Sequence, residues 1–323
     1  MKQGINGKTV VVTGASSGVG RAAAIAFARE GAQLVLAARR EQALAEVAED
    51  CKALGAHAIY VVTDVTNSEE VRRLALLAFE FGGHIDVWIN NAGVLAAGAF
   101  DQTPIEVHEQ VVKTNLMGYM NGAHAVLPYF KKQGYGVIIN NISVGGWTPT
   151  PFGVGYTASK FALRGYAESL RGELDQWPEI HICDLYPGFL DTPGIQHAAN
   201  YTGKTLRPAP PIYDPQLVAE KMVAVTRSPR KEVLIGNVAH FLRVSHFLFP
   251  TLTSRIAGIV MKTYFKRAEP AANTAGNLFH PVEFGTSANG GWKLPLPERK
   301  KSSLIAVACL ATLSVGLALL RKR

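Results

Sequence analysis

Short runs of valine, isoleucine and leucine alternate between residues 8 and 186 with longer segments in which apolar positions recur every three or four residues. The short runs are typical of buried strands, and the longer segments predict helices with one apolar face. The predicted strands are residues 8–13, 33–37, 58–62, 87–89, 136–141 and 180–186. The predicted helices between them are residues 20–30, 41–54, 68–81, 104–132 and 155–174. Strand and helix therefore alternate along this part of the chain.

The strands are apolar at consecutive positions, and this pattern indicates burial on both faces of a sheet. Parallel strands joined by crossover helices meet that requirement, because the helices cover both faces. We therefore expect a Rossmann-like, doubly wound parallel sheet in a three-layer α/β/α fold. Beyond residue 188 the pattern loosens into a segment rich in Thr, Gly and Pro at 191–215, a predicted helix at 214–226 and a short strand at 233–235.

The C-terminal part of the chain is apolar and basic. Residues 238–265 fit either an interfacial amphipathic segment or a pair of surface helices on the domain. Residues 304–320 form an uninterrupted apolar run, about 26 Å long as a helix, with basic clusters on both sides. We interpret this run as a transmembrane anchor, with a buried C-terminal helix or a membrane-surface helix as the alternatives. The predicted organisation is a first domain at 1–240, a basic, apolar and helical extension at 241–303 and the anchor at 304–320.

Charge divides the chain into two parts. Residues 1–199 contain 15 Lys and Arg against 19 Asp and Glu, whereas residues 200–323 contain 18 against 6. The basic residues flank apolar runs and do not interleave with aromatics, so they indicate contact with membrane lipid and no nucleic-acid binding. The N-terminus has no apolar segment ending in a cleavage site, so we expect a cytosolic main domain that is tethered by its C-terminal helix. The three cysteines have no metal-ligand spacing, and we expect no metal site.

A glycine-rich turn, TGASSGVG, joins the first predicted strand to the first predicted helix. Gly14, Gly18 and Gly20 would let a pyrophosphate approach the backbone, and the helix start supplies N–H donors and a positive dipole end. Because the turn belongs to the first strand–helix unit of the sheet, dinucleotide binding is favoured over a glycine turn without a ligand.

A second motif, YTASK, places Tyr156 and Lys160 four residues apart, on one face of a helix. In isolation the pair is typical of the solvent edge of an amphipathic helix. The chain also contains Asp64 after the third strand, NNAG at residues 90–93, Asn115, Ser143 and PGFLDT at residues 187–192. This set, in this order, resembles the classical subfamily of the short-chain dehydrogenase/reductase family over residues 5–240.

The resemblance implies a catalytic group of Asn115, Ser143, Tyr156 and Lys160. Tyr156 would be the acid/base, Lys160 would lower its pKa and hold the nicotinamide ribose, and Ser143 would position the substrate carbonyl. Asn115 would hold a water that relays protons to Lys160. Moving a phenol from its usual pKa near 10 to about 7 requires roughly 4 kcal/mol. A neighbouring ammonium and the positive nicotinamide of the oxidised cofactor would supply it.

The resemblance also implies the cofactor site. Its residues are Gly14, Ser16, Ser17, Gly18, Val19, Gly20, Arg39, Asp64, Val65, Asn91, Ala92, Gly93, Tyr156, Lys160, Pro187, Gly188 and Thr192. Asp64 would contact the adenine and Thr192 the carboxamide. The second strand ends in Ala38 and Arg39, without an acidic residue for a ribose 2′-hydroxyl, so we expect NADP(H) in preference to NAD(H). Ser17 stands where many NADPH-dependent members carry a basic residue. Arg40 either shares the phosphate or, as we favour, is a solvated cation.

The expected function is the NADPH-dependent interconversion of a carbonyl and an alcohol on a lipophilic small molecule. The alternative is a non-catalytic NADPH-binding scaffold or sensor with the same fold. The resemblance implies a homodimer or tetramer built on the helices at 104–132 and 155–174. Trp147 and Phe152 would either line the substrate pocket or pack in the core, and Tyr201 would face the ligand from a variable segment. Asn90 is expected to steady the central strands.

Overall fold

The computed structural model of the protein describes residues 4–293. Within this range the strands are β1 (Thr9–Thr13), β2 (Gln33–Ala38), β3 (Ala58–Val62), β4 (Val87–Asn90), β5 (Ala96–Gly98), β6 (Gly136–Asn141), β7 (Ile180–Pro187), β8 (Ala199–Tyr201) and β9 (Glu232–Ile235). The α-helices are α1 (Gly18–Arg29), α2 (Glu41–Ala53), α3 (Ser68–Gly82), α4 (Ile105–Val112), α5 (Gly118–Gln133), α6 (Val154–Glu173), α7 (Pro215–Arg227), α8 (Asn237–Leu248) and α9 (Pro250–Arg267).

Seven of these strands form one parallel sheet in the order β3-β2-β1-β4-β6-β7-β9. The order runs in opposite directions on the two sides of β1 and β4, so the crevice between their carboxyl ends is the switch point of the sheet. The predicted Rossmann-like sheet with three α/β/α layers is confirmed. Each predicted strand matches an observed one to within one residue at either end.

Neighbouring residues of one strand face different layers, as the pleat requires. Val10 and Val12 of β1 pack into a core with α1, α2 and α7, whereas Val11 packs into a second core with α3, α5 and α6. All three side chains are fully buried. The consecutive apolar positions of the strands therefore reflect two separate cores, one on each face of the sheet.

Two features of the fold differ from what the periodicity predicted. The region 104–132 is not one continuous α-helix, because a π-helical turn at Lys113–Met117 separates α4 from α5. A second, two-stranded parallel sheet of β5 and β8 was not predicted. Each of its strands has only three residues, too few for a periodic pattern to develop.

The residues after β9 form α8 and α9, so the apolar and basic segment at 238–265 is a helix pair. Of the described residues, 4–292 belong to one compact unit. No helix in the part of the chain that the structure describes is long and apolar enough to cross a membrane. The anchor predicted at 304–320 lies outside the described residues, and both the anchor and the domain boundaries stay predictions.

Candidate active site

The predicted site residues lie along one edge of the sheet. Gly14 follows β1, Asn91 follows β4, Ser143 follows β6 and Gly188 follows β7. Since carboxyl ends of parallel strands meet at one edge, these loops converge at the switch point between β1 and β4. The tertiary fold thus brings together residues that are up to 174 positions apart in the sequence.

Ser143, Tyr156 and Lys160 form one group. The side chain of Ser143 is hydrogen-bonded to that of Tyr156, and the Lys160 Nζ lies 5.7 Å from the centre of the Tyr156 ring. Lys160 is 4% exposed, and its Nζ donates to the Asn141 carbonyl at 3.5 Å. Ser143 has φ 121°, a strained value for a residue with a side chain, and such strain is concentrated at functional sites.

Burial changes the acidity of both groups. The pKa of Tyr156 is raised, because burial disfavours the phenolate, while the hydrogen bond with Ser143 acts in the opposite direction. Burial lowers the pKa of Lys160 to about 7. The sequence predicted a lowered pKa for Tyr156, whereas the pKa in the structure is raised. Both charges expected to lower it are reduced or absent, because Lys160 is only partly charged at neutral pH and the positive nicotinamide belongs to the cofactor.

Asn115 lies in the π-helical turn between α4 and α5 and is fully buried. Its Oδ1 accepts from the Val94 N–H at 2.8 Å, and its Nδ2 donates to the Val94 carbonyl at 3.0 Å and to Ser159 Oγ at 3.1 Å. The side chain therefore fastens the loop after β4 to α6, directly beside Lys160. The predicted role in a water relay stays a prediction.

The turn after β1 fits a dinucleotide. At Gly14, which has φ +66°, a Cβ would lie 2.8 Å from the Cα of Ala92. At Gly20 a Cβ would lie 2.1 Å from the Gly14 carbonyl oxygen. Gly18 opens α1 with φ +55°, following the extended N-cap residue Ser17. The backbone is thus held close to the start of α1, where N–H groups and the helix dipole favour phosphate.

The other predicted cofactor residues have defined structural partners. The Asn91 side chain donates to the Thr13 and Gly14 carbonyls at 3.0 and 3.3 Å, and its N–H donates to Thr13 Oγ1. Asp64 accepts from the Thr66 N–H at 2.9 Å, and Gly118 packs against Val65. Of the other predicted cofactor residues, Ser16 lies in the glycine turn and Val19 in the first turn of α1, Ala92 and Gly93 follow β4, Pro187 ends β7, and Thr192 caps a short 3₁₀ turn at Pro193–Ile195.

Asn90 and Trp147 have structural roles. Asn90 accepts from the Trp88 indole and donates to Asn140 Oδ1 at 3.0 Å, which confirms that it steadies the central strands. The Trp147 ring lies between two guanidinium groups, with Arg164 at 3.3 Å and Arg243 at 3.8 Å from its centre. Arg243 belongs to α8, so this stack fastens α8 to the loop that carries Ser143. Of the two roles that the sequence left open for Trp147, packing is the one that these contacts show.

Arg39 and Arg40 both bind a later segment of the chain. Arg39 donates to the carbonyls of Asn277 and Leu278, the latter at 3.1 Å. Arg40 donates to the carbonyls of Val282 and Phe284 at 2.5 and 2.9 Å. The favoured interpretation of Arg40 as a solvated cation is therefore wrong, since its guanidinium is partly buried and its pKa is lowered by that burial.

Sequence reasoning missed two parts of the site. Tyr119 is fully buried, its ring centre lies 5.2 Å from Lys160 Nζ, and its hydroxyl donates to the Asn141 carbonyl at 2.7 Å. Residues 277–292, which contact Arg39 and Arg40, follow no regular pattern. Glycines such as Gly285 and Gly290 were the one signal that the sequence offered there, and in the structure a Cβ at either position would clash.

Comparisons with known proteins agree with this geometry. The family model described as short chain dehydrogenase matches residues 8–201. The chain is 35% identical over 297 residues to the uncharacterized oxidoreductase YxnA of Bacillus subtilis, covering 88% of this chain and 82% of that protein. It is 37% identical over 190 residues to 11-beta-hydroxysteroid dehydrogenase A of Sesamum indicum, covering 58% of this chain and 54% of that protein.

A solved structure is also similar. The alcohol dehydrogenase from the archaeon Thermococcus sibiricus, complexed with 5-hydroxy-NADP, superposes with a TM-score of 0.63 at 27% identity. The superposition covers 72% of this chain and 97% of that chain. From the family match over more than half its length, and from the relative that spans most of it, the chain belongs to the short-chain dehydrogenase family of NAD(P)-dependent oxidoreductases.

Proposed function

We propose that the protein interconverts a carbonyl and an alcohol on a lipophilic small molecule, with NADP(H) as its cofactor. The observation that carries this proposal is the group of Ser143, Tyr156 and Lys160 beside the glycine turn. Burying the Lys160 amine costs free energy, about 1–3 kcal/mol for a polar group whose hydrogen bonds are incomplete, and packing alone does not offset that cost. Strongly perturbed acidity in a cleft is a mark of a functional site.

Proton transfer is the work of the protein side chains. The cofactor, when bound, supplies or accepts the hydride. Tyr156 donates its proton to the carbonyl oxygen during reduction and takes it back during oxidation. Ser143 holds the same oxygen by a hydrogen bond. Lys160 can gain or lose a proton near neutral pH, and its charged form favours the phenolate of Tyr156. Asn115 is assigned to the proton path that ends at Lys160.

NADP(H) is favoured over NAD(H) by two neighbouring arginines at the end of β2. A guanidinium presents a planar fork of donors that matches a phosphate. Arg39 and Arg40 already converge on carbonyl oxygens from one side of the crevice, which supports a role in binding acceptor oxygens. The Thermococcus sibiricus neighbour was solved with 5-hydroxy-NADP, which further supports the choice.

A lipophilic substrate is supported by the apolar surroundings of Tyr156. This side chain packs against a cluster that includes Val94, Val107, Ala199 and Tyr201. These apolar side chains offer a substrate beside Tyr156 apolar surface to bury, which favours a lipophilic molecule. The name of the Sesamum indicum relative, a hydroxysteroid dehydrogenase, is consistent with a substrate of this class.

Membrane lipid is the proposed partner of the α8–α9 helix pair. Phe247 is 82% exposed, and Leu248, Ile259 and Val260 are also exposed. Residues 237–267 contain no Asp or Glu but five Lys and Arg. Exposed apolar side chains beside basic ones suit an anionic headgroup boundary. We further propose that the run at 304–320 anchors the protein, with its catalytic domain in the cytosol.

The proposed oligomer is a homodimer, or a tetramer, that uses α4 and α6. A groove of about 540 Å³ lies between these helices and is lined by apolar side chains that include Ile105, Met117 and Val154. His108 lines the groove as well, and both of its buried ring nitrogens are without a hydrogen-bond partner among the described residues. A second copy would cover this apolar surface.

The experiment is a titration of the full-length protein with NADPH and NADH, followed by a panel of apolar and polar ketones monitored by NADPH oxidation. The test variant is Tyr156→Phe, and Tyr129→Phe on α5 is the matched control. We expect NADPH binding in all three proteins and turnover of apolar ketones in the wild type and the control only. Turnover that survives Tyr156→Phe would refute the assigned role. NADPH binding without any turnover would favour the scaffold or sensor.

A further inference from the structure

Residues 277–292 cross the mouth of the crevice between β1 and β4, and we call them the strap. One side of the crevice consists of the glycine turn, α1 and the arginines after β2. The other side consists of residues 191–197, which follow β7. The strap is hydrogen-bonded to both sides, so it closes the crevice from above.

On the first side, the strap provides carbonyl oxygens to the groups assigned to the cofactor. Gly18 N–H donates to the Ser287 carbonyl at 3.0 Å. Arg39 donates to three strap carbonyls, at Asn277, Leu278 and Phe279. These are donors that a pyrophosphate and a 2′-phosphate would use. The strap carbonyls therefore accept hydrogen bonds from the same N–H groups that the phosphate oxygens of a cofactor would use.

On the second side, the strap is bonded to both backbone and side-chain groups. Gly290 N–H donates to the Asp191 carbonyl at 3.1 Å, and the Trp292 indole donates to the Thr192 carbonyl at 2.9 Å. His197 Nε2 lies 3.0 Å from the Phe284 carbonyl oxygen, which also accepts from Arg40. Phe284 thus joins the two sides through one oxygen atom.

An apolar anchor fixes the start of the strap. The Leu278 side chain is fully buried and belongs to the cluster that packs against Tyr156. Burial of this side chain, together with the hydrogen bonds on both sides, holds the strap over the crevice.

We propose that the strap gates cofactor binding: it competes with NADP(H) for Gly18 N–H and for the guanidinium of Arg39, and it must open before the cofactor enters. This inference rests on the proposed function, because it takes the same crevice as the cofactor site. A ligand that needs a minor open state binds no faster than that state forms.

The test is stopped-flow binding of NADPH to the full-length protein, followed by energy transfer from tryptophan. We expect an observed rate that levels off at high NADPH concentration, at the opening rate of the strap. Gly285→Ala should raise that plateau at least tenfold, because its Cβ would lie 2.3 Å from His197 Nε2. Gly203→Ala is the matched control, since its φ of +67° is close to the +69° of Gly285 and a Cβ there meets nothing within 4 Å.

Two further measurements ensure that the test does not depend on Gly285→Ala alone. Leu278→Ala should also raise the plateau, with Leu248→Ala, at an exposed leucine of α8, as its control. In the wild type, hydrogen exchange at the strap amides should become faster when NADPH is added. Exchange that slows on NADPH addition would mean that the strap closes over the cofactor and would overturn the competition.

The outcomes separate this inference from the proposed function. A rate that rises linearly with NADPH in the wild type and is unchanged in Gly285→Ala and Leu278→Ala overturns the gate and leaves the cofactor site standing. Absence of NADPH and NADH binding in the wild type and in both opened variants overturns the cofactor site and the gate together.

Discussion

Replacing Arg39 by methionine removes the guanidinium from the cofactor side of the crevice while keeping an apolar stem. In the wild type, NADPH binding would exchange strap carbonyls for phosphate oxygens at this side chain. Both kinds of bond are donated by the charged guanidinium, so both fall in the range of about 1.5–3 kcal/mol for hydrogen bonds to a charged group. A neutral strap carbonyl stands at the weak end of that range and a charged phosphate oxygen at the strong end, so the net gain is about 1–1.5 kcal/mol per bond, or about 2–3 kcal/mol for a bidentate pair.

The variant should therefore bind NADPH about 30- to 150-fold more weakly. NADH should respond in the opposite direction, because it breaks the strap bonds of Arg39 without replacing them. Losing the strap bonds beforehand would tighten NADH binding about tenfold, if they contribute about 1.5 kcal/mol in all. The affinities for NADPH and NADH thus change in opposite directions, which a general loss of folding cannot produce.

The assay is equilibrium titration of both cofactors at one salt concentration, with Arg72→Met on α3 as the control. Arg72 is exposed and pairs with Glu69, so its removal should leave both dissociation constants unchanged. An unchanged ratio of the NADPH and NADH constants in Arg39→Met would refute the phosphate role. A weakening of both cofactors by the same factor would refute the competition with the strap.

Three further predictions concern the sheet and the buried groups. Arg171→Met should destabilise the protein by about 3–5 kcal/mol in urea unfolding, because Asp184, 1% exposed, loses an ion pair of 2.6 Å. Gly20→Ala should abolish cofactor binding in titrations, since its Cβ would lie 2.1 Å from the Gly14 carbonyl oxygen, whereas Gly172→Ala, where a Cβ meets nothing within 4 Å, should not. The free energy of unfolding without cofactor should rise between pH 7 and 8.5 in the wild type, but less in Lys160→Met.

The sign of the pH dependence follows from Lys160. Its pKa is about 7 in the folded protein and near 10.4 when unfolded, so between these values the unfolded state binds more protons. Stability must then rise with pH over that interval. Buried thiols and phenols with raised pKa values act in the opposite direction only from about pH 8.5 upwards, near and above their unfolded pKa values. A slope that is the same in the wild type and in Lys160→Met would contradict the assignment.

Local sequence determined the strands, the helices and the glycine turn. The position of β6 follows from its consecutive apolar residues, because a strand buried in a sheet needs them regardless of its partners. Tyr156 and Lys160 share one face of α6 by helix geometry alone, because residues four positions apart lie about one turn apart. The set of motifs, in order, was enough to identify the family and to assign its catalytic residues as predictions.

Only the tertiary structure decided which groups meet these residues. The acidity of Lys160 depends on its burial, to which Tyr119 and the loop after β6 contribute, and a pattern on α6 cannot report that burial. Arg39 binds carbonyls that lie 238 positions or more further along the chain. Periodicity reflects whether a residue is buried, but it carries no information on the distant backbone that its polar atoms contact. The strap could therefore be found only in the folded chain.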